Sequence, residues 1–435
     1  MLGYAKEQTT LTREQKEAAG ILSTATFLEY FDLMLYVHLA VLLNELFFPK
    51  YEPSVASLLS AFTFCSTFIF RPLGAYIFGS IGDKLGRKST VIITTTLMAL
   101  SCVVMANAPT YEQIGYFAAV LITVCRAVQG MASVGEIVGA ELYLTETTKP
   151  PVQYPLVSFI AVASIIGTTA ALAVASLVTT HGLNWRIAFW IGAAIAVIGG
   201  YARTKLRETT DFVDASARLL RRYEKINLDT KELKHDEIFN QKPSRKTTIY
   251  FFIMSCAWPI CFYYTYITCG EVLKNSFGYS ASQVIHHNFI ISMFHFATLS
   301  FICFLSYKIY PLKILRVKLA LLLIFILSST YLLGNVTTPM QLLLIQICLI
   351  SCSSSTFPAV PIFFRHFPVF KRFTYSSMIY AISRALMYVI TSFGIIYLTK
   401  YFGHYGLFIV MVPLLVTCMF GLNHFQELEK KAGYL

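Results

Sequence analysis

Residues 150–185 contain no Asp, Glu, Lys or Arg, and neither do residues 319–364. One crossing of a bilayer needs about 20 mostly apolar residues, so each stretch is long enough for two. Each also carries its own break: His181-Gly182 with Asn184 in the first, Gly334-Asn335 and Pro339 in the second. The same pattern repeats along the chain. Apolar segments fall at 20–43, 54–79, 89–108, 115–141, 154–178 and 185–203, and again at 248–270, 286–307, 317–334, 340–362, 374–398 and 404–424. Twelve spans are expected, six on each side of a polar stretch that holds RRYEKINLDTKELKHDE.

Composition excludes the alternatives. Charged residues make up 13% of the chain, against roughly 25% in soluble domains, and the mean hydropathy is +0.61. That rules out a soluble enzyme, a secreted disulfide scaffold and a disordered chain. The net charge of +12 would suit nucleic acid if it were clustered. Here the basic residues fall between apolar runs, so they read as topology signals and contacts for anionic lipid, with no nucleic-acid partner. The ten cysteines sit almost entirely inside apolar runs without a CxxC pair. They read as small apolar side chains rather than metal ligands. The mixed charges Lys6, Glu7, Arg13, Glu14, Lys16 and Glu17 do not read as a cleavable signal peptide.

Lysine and arginine set the orientation. With the N-terminus in the cytoplasm, most of the 35 basic residues fall on cytoplasmic segments, and only Lys50, Lys274 and Lys400 face outside. The expected layout is N-in and C-in: a cytoplasmic N-terminus 1–19, a bundle 20–203, a cytoplasmic linker 204–247, a second bundle 248–424 and a cytoplasmic tail 425–435. The tail shows no heptad pattern.

Two kinds of charge call for a function. The loop after the second span reads Gly79-Ser80-Ile81-Gly82-Asp83-Lys84-Leu85-Gly86-Arg87-Lys88. Its glycines permit a tight turn and close backbone approach. Asp83 is suited to a helix N-terminus or a neighbouring arginine, a contact that can latch one conformation and release in another. Gly79, Asp83, Gly86, Arg87 and Lys88 form the candidate gating set, with Arg71 placed just before it. The other kind lies within the spans, where a charge costs roughly 2.5–3.5 kcal/mol on insertion scales. Glu29 and Asp32 share one face of the first span at i,i+3. Burial and mutual repulsion suit such a pair to binding and releasing a proton; the alternative is a permanent ion pair with an arginine. Arg126, Gln129, Gly130 and Ser133 form a polar stripe on the fourth span, which also carries Glu136. Arg126 is the expected partner of the acid pair or of a substrate carboxylate.

These motifs are joined by others: Leu28-Glu29-Tyr30-Phe31-Asp32, Phe70-Arg71-Pro72-Leu73-Gly74, Arg126-Ala127-Val128-Gln129-Gly130, Trp185-Arg186-Ile187-Ala188-Phe189 and Arg207-Glu208-Thr209-Thr210-Asp211-Phe212. Together, over roughly residues 20–215, the chain resembles the metabolite:proton symporter family of the major facilitator superfamily. That family includes proline/betaine, α-ketoglutarate, citrate and shikimate transporters. The resemblance implies an all-α membrane protein of two six-helix bundles. It implies a symporter that imports a small organic zwitterion or acid, proline- or glycine betaine-like, by alternating access. A proton gradient would drive it without a cofactor, as a monomer in the bacterial inner (plasma) membrane. It also implies that acids of the first and fourth spans, with Arg126, bind proton and substrate. The second half departs from the pattern. The loop Tyr307–Arg316 lacks the Asp and the Gly-Arg pair, and His366 stands where an acid often precedes Phe367-Pro368. An organic-acid symporter and a non-transporting sensor are the alternatives. A tentative substrate box consists of Tyr264, Tyr380, Arg384 and Tyr388, since aromatic faces attract quaternary ammonium groups and arginine takes a carboxylate. No GxxxxGK[ST] or HExxH occurs, so neither ATP-driven transport nor zinc-dependent proteolysis is expected.

Overall fold

A computed structural model describes residues 7–48, 65–181, 184–203, 241–394, 398 and 401–434. In chain order the long helices are α1 (Arg13–Phe47), α2 (Arg71–Leu85), α3 (Arg87–Asn107), α4 (Tyr116–Thr147), α5 (Gln153–His181) and α6 (Trp185–Arg203). The second half holds α7 (Arg245–Phe277), α8 (Ala281–Lys308), α9 (Pro311–Gly334), α10 (Pro339–Cys352), α11 (Val369–Val389) and α12 (Gly406–Lys431). Short polar signals set the turns. Gly278 ends α7 in the left-handed conformation at φ 66°, and the Ser280 and Gln283 side chains then cap α8 reciprocally. Thr338 and Gln341 do the same for α10.

Within the first half α1 packs on α4, α5 and α6, while α3 packs on α2, α4 and α6. Within the second, α7 packs on α11 and α12, α9 on α10 and α12, and α8 on α10. The halves meet along two seams, α5 against α8 and α2 against α11. Glycine makes the second seam close. A Cβ at Gly82 would overlap the Phe373 ring, and one at Gly79 would lie 2.9 Å from the Thr374 Cα.

Seven helices among the described residues are long and apolar enough to cross a membrane. The other expected spans fall short for identifiable reasons. The first part of the segment 54–79, residues 54–64, lies outside the described residues, α10 stops after 14 residues, and α11 carries Lys371, Arg372 and Arg384. The segment 340–362 is not one helix: it breaks at Ser353-Ser354-Ser355 and resumes as a short turn, Val360–Arg365. Serine hydroxyls compete for backbone partners, as Ser353 does by donating to the Ile350 carbonyl at 2.6 Å, and Pro358 withholds a donor. At the other end, the expected tail 425–435 is largely the last turns of α12, with Glu429 fully buried.

α7 departs from regular winding. Residues Tyr264–Thr268 form a π turn, in which the Cys269 amide reaches back to the Tyr264 carbonyl. Side chains of neighbouring helices occupy nearby carbonyls: Gln346 Nε2 donates to Thr265 O at 2.6 Å and Asn288 Nδ2 to Tyr266 O at 3.3 Å.

Candidate functional site

A cavity lies where the two halves meet, lined from both. The first half contributes Tyr30, Met34, Phe68, Arg71, Ile137 and residues of α5; the second contributes Trp258, Phe262 and Tyr266 of α7, His295 of α8, and Tyr380, Arg384 and Tyr388 of α11. Its volume is about 70 Å³, on a measure where one water needs roughly 10–15 Å³. Aromatic rings close one side: Phe68 and Tyr388 lie 4.1 Å apart between centroids, and Phe262 meets Tyr388 edge-on at 6.3 Å. Two guanidinium groups, one from each half, converge on a single ring. Arg384 lies 3.4 Å from the Tyr380 centroid and Arg71 lies 5.9 Å from it. The Tyr380 hydroxyl in turn pairs with that of Tyr30 at 2.9 Å, joining α11 to α1.

On the side of the cavity towards the α2 C-terminus, three sets of bonds tie the halves together. Asp83 accepts from the Phe373 amide at 3.3 Å, from the Thr374 amide at 2.8 Å and from the Thr374 hydroxyl. The carboxylate thus sits against the second turn of α11. Glu146 at the end of α4 pairs with Arg372 at 3.1 Å, both buried. Arg365 reaches across to Gln153 Oε1 at 3.1 Å and Tyr154 Oη at 3.3 Å on α5. Glu429 holds that arginine in place. It accepts from Arg365 at 3.2 Å, pairs with His366 at 2.8 Å and accepts from the Tyr310 hydroxyl at 2.6 Å. The acid missing before Phe367-Pro368 is therefore supplied from α12. The Asp-less loop after α8 is tied by the same acid through Tyr310. Arg316 beyond it donates to Asn423 and Gln426 at 2.6 and 2.7 Å.

The residues singled out by sequence fall into three places. Asp83 and Gly79 lie at the seam, and Gly86 caps α2 at φ 98°. The side chains of Arg87, Lys88 and Glu136 lie outside the described residues. Arg71 was grouped with the gating loop but is only 2% exposed, over the Phe68 ring at 4.6 Å, and lines the cavity. Tyr380, Arg384 and Tyr388 also line the cavity, whereas Tyr264 does not. The lining face of α7 runs Trp258, Phe262, Tyr266 in steps of four, which turns Tyr264 into the bundle core.

Glu29, Asp32, Arg126 and Gln129 are buried inside the first half rather than on the cavity wall. Among the described residues no carboxylate hydrogen-bonds or ion-pairs with Arg126. It donates to the Leu33 carbonyl and Gln129 Oε1, both at 3.3 Å, and lies 4.3 Å from the centre of the Tyr36 ring. Its Nε and Nη2 have no hydrogen-bond partner among the described residues. Asp32 lies against α3 and α6: the Cys102 thiol hydrogen-bonds with it, and a Cβ at Gly192 would overlap its carboxylate. Cys102, read from sequence as a small apolar side chain, also accepts from Gln129 Nε2 at 3.4 Å. So Asp32, Cys102, Gln129 and Arg126 form one buried polar chain across α1, α3 and α4.

Sequence reading missed Glu141, which is 3% exposed on α4 and leaves Oε1 without a hydrogen-bond partner among the described residues. The signal was present, since the insertion cost that singled out Glu29 applies equally to it. Placing the fourth span at 115–141 put it at a membrane edge, and the helix continues to Thr147.

The profile described as Major Facilitator Superfamily matches residues 22–391. The proline/betaine transporter of Escherichia coli (strain K12) is 32% identical over 204 residues, 45% of this chain and 41% of that protein. The inner membrane metabolite transport protein YhjE of the same organism is 33% identical over 243 residues, 54% of each chain. The matches thus span about half the length of these curated relatives. Among solved structures, the proton:xylose symporter XylE of E. coli bound to 6-bromo-6-deoxy-D-glucose superposes with a TM-score of 0.75 at 13% identity, covering 95% of both chains.

Proposed function

Because this chain belongs to the major facilitator superfamily, a membrane transporter rather than an enzyme, we propose that it is a proton-coupled symporter of a small organic zwitterion or acid. It works by alternating access between its two bundles. The observation that carries this reading is the cavity itself. It lies at the bundle interface, carries Arg71 and Arg384 with an aromatic wall, and is sealed on one side by Asp83, Glu146 and Arg365. A carboxylate would be held by the guanidinium groups, and a quaternary ammonium or ring by Trp258, Phe262 and Tyr388. With the N-terminus in the cytoplasm, the sealed side is the inner one, so the arrangement corresponds to the substrate-receiving half of the cycle.

Proton coupling in this reading runs through Asp32. Its burial and its neighbours Cys102 and Gln129 allow protonation to rearrange the packing of α1 on α3 and α6 without touching the solute. Similarity to the proline/betaine transporter favours a compatible-solute substrate, and the two arginines equally admit an organic acid.

The test is uptake into proteoliposomes under an imposed inward proton gradient, using labelled proline, glycine betaine and α-ketoglutarate. A gradient of about two pH units supports about 100-fold accumulation at one proton per solute. Accumulation abolished by a protonophore is the expected result. Absence of uptake of all three by correctly folded protein would remove this reading.

A further inference from the structure

Within the transport reading above, on which this rests, we propose that Glu141 is a second proton-carrying group and that it exchanges Arg384 with the carboxylate of the transported solute. Protonated, Glu141 leaves the guanidinium to the solute; deprotonated, it takes the guanidinium back.

Glu141 stands one helical turn along α4 from Ile137, which lines the cavity, and α4 packs on α11, which carries Arg384. The charge that acts on it is Arg384, from the opposite bundle. Yet no ion pair joins the two among the described residues, and Glu141 Oε1 has no hydrogen bond. Arg384 is correspondingly under-used: Nη1 reaches Tyr380 O and Ser383 Oγ only at 3.5 Å, and the plane of the group rests on the Tyr380 ring. Arg71 brings a second guanidinium to the same ring, with its Nε unpartnered. Glu141 is buried and Arg384 half-buried; an ionised carboxylate in electrostatic range would draw the guanidinium to it, so the separated arrangement suits the proton-loaded step of the proposal. It leaves two guanidinium groups, one per bundle, with N–H donors to spare and no acid among the residues that line the cavity.

The other charged and titratable groups around this pair, among the described residues, are Glu29 and Tyr30 on α1, Arg71 on α2, Cys256 on α7, His295 on α8, and Tyr380 and Tyr388 on α11. Glu29 is the one other acid among these seven, and it shares the surroundings of Tyr30 with Arg384. Glu141 is the acid on which Arg384 is the acting charge, and it is the one the proposal assigns.

The step balances as follows. A proton from water on the open side forms an O–H bond on Glu141, and Arg384 loses its internal anion. The solute carboxylate then accepts from Arg384 and Arg71, bridging the bundles. After the solute leaves on the other side, the Glu141 proton passes to water there, and the carboxylate pairs with Arg384. One proton accompanies each carboxylate.

The test combines infrared difference spectroscopy with transport, using wild type, E141Q, E141D and R384Q in liposomes and glycine betaine and α-ketoglutarate as probes. Wild type should show a protonated-carboxyl band whose titration is absent in E141Q, present in E141D and shifted by about one pH unit or more in R384Q. A titration unchanged in E141Q, or unmoved in R384Q, would overturn the proposal. In transport, E141Q should retain solute exchange and lose the proton carried by this step, so that the accumulation supported by a two-unit pH gradient falls by about 100-fold, the factor one proton contributes. Full accumulation by E141Q would also overturn it. If wild type moves neither probe, the transport reading fails for those solutes, and the infrared titration alone decides whether Glu141 and Arg384 are coupled.

Discussion

Replacing Asp83 with Asn tests the inner seal quantitatively. Asp83 is 6% exposed and accepts three hydrogen bonds from the start of α11, so solvent screens them little. Bonds to a charged acceptor contribute about 1.5–3 kcal/mol each, against about 0.5–1.5 for a neutral one. Asn keeps one acceptor oxygen but turns an NH₂ towards amides that themselves donate. The seal should weaken by about 3 kcal/mol, which is about 100-fold in the closed-to-open ratio on that side. Hydrogen–deuterium exchange reads this directly, because the donors are the backbone amides of Phe373 and Thr374. Peptides covering 369–377 should lose about two orders of magnitude of protection in D83N, while peptides from the core of α5 stay unchanged. Solute binding should change little and turnover should fall. Unaltered protection of 369–377 in folded D83N would refute the assignment of Asp83 as a latch, and a large loss of affinity with normal turnover would contradict its confinement to gating.

Other substitutions probe separate parts of the molecule. Asp32→Asn should abolish proton-driven accumulation while sparing solute exchange, and unchanged accumulation would remove Asp32 from the coupling chemistry. Gly192→Ala forces the Asp32 carboxylate away from its present position. It should cost roughly 1–3 kcal/mol in thermal unfolding and impair accumulation; a wild-type melting curve and full accumulation would show that the site has slack. Glu429→Gln leaves Arg365 and His366 without their shared anion. Breaking such a buried cluster costs about 3–5 kcal/mol, visible as a lower melting temperature and as faster exchange in the Val360–Arg365 turn.

The fold was legible because its signal is long-range and redundant. Each apolar run is about one bilayer thick, and the breaks between runs are marked by Gly, Pro and Asn. Where local chemistry outweighs hydropathy the reading slips, as at Ser353–Ser355, where the Ser353 hydroxyl takes a backbone carbonyl, that of Ile350, just as the helix ends. The site was legible in part. Asp83 stands in a dense loop motif that left a helix start and a neighbouring arginine open as its partner, and the structure gives it amides and a hydroxyl of α11. The cavity arginines Arg71 and Arg384 were noticed for being charged within apolar runs, but their convergence on Tyr380 joins positions far apart in sequence and no local pattern encodes it. Arg126 was paired on paper with the acids of α1. Packing instead gives it a carbonyl, an amide and a ring, since the roll of α4 about its axis decides which donors meet which acceptors. Glu429 and Glu141 were passed over because each lay at the margin of an expected span, and helix ends are what hydropathy defines least.

The π turn of α7 has a mechanical meaning. Ordinary helices resist bending because each carbonyl is committed to its own chain. At Thr265 and Tyr266 the carbonyls are instead fastened by amide side chains from α10 and α8. The portion of α7 beyond them, Cys269–Phe277, is thereby riveted to its neighbours more than to the rod it continues. A swing of that portion about the rivets strips no α-helical bond and takes α8 and α10 along as a single lever. The joint includes Tyr266, whose side chain lines the cavity, so the force that turns the lever is applied where a solute would press.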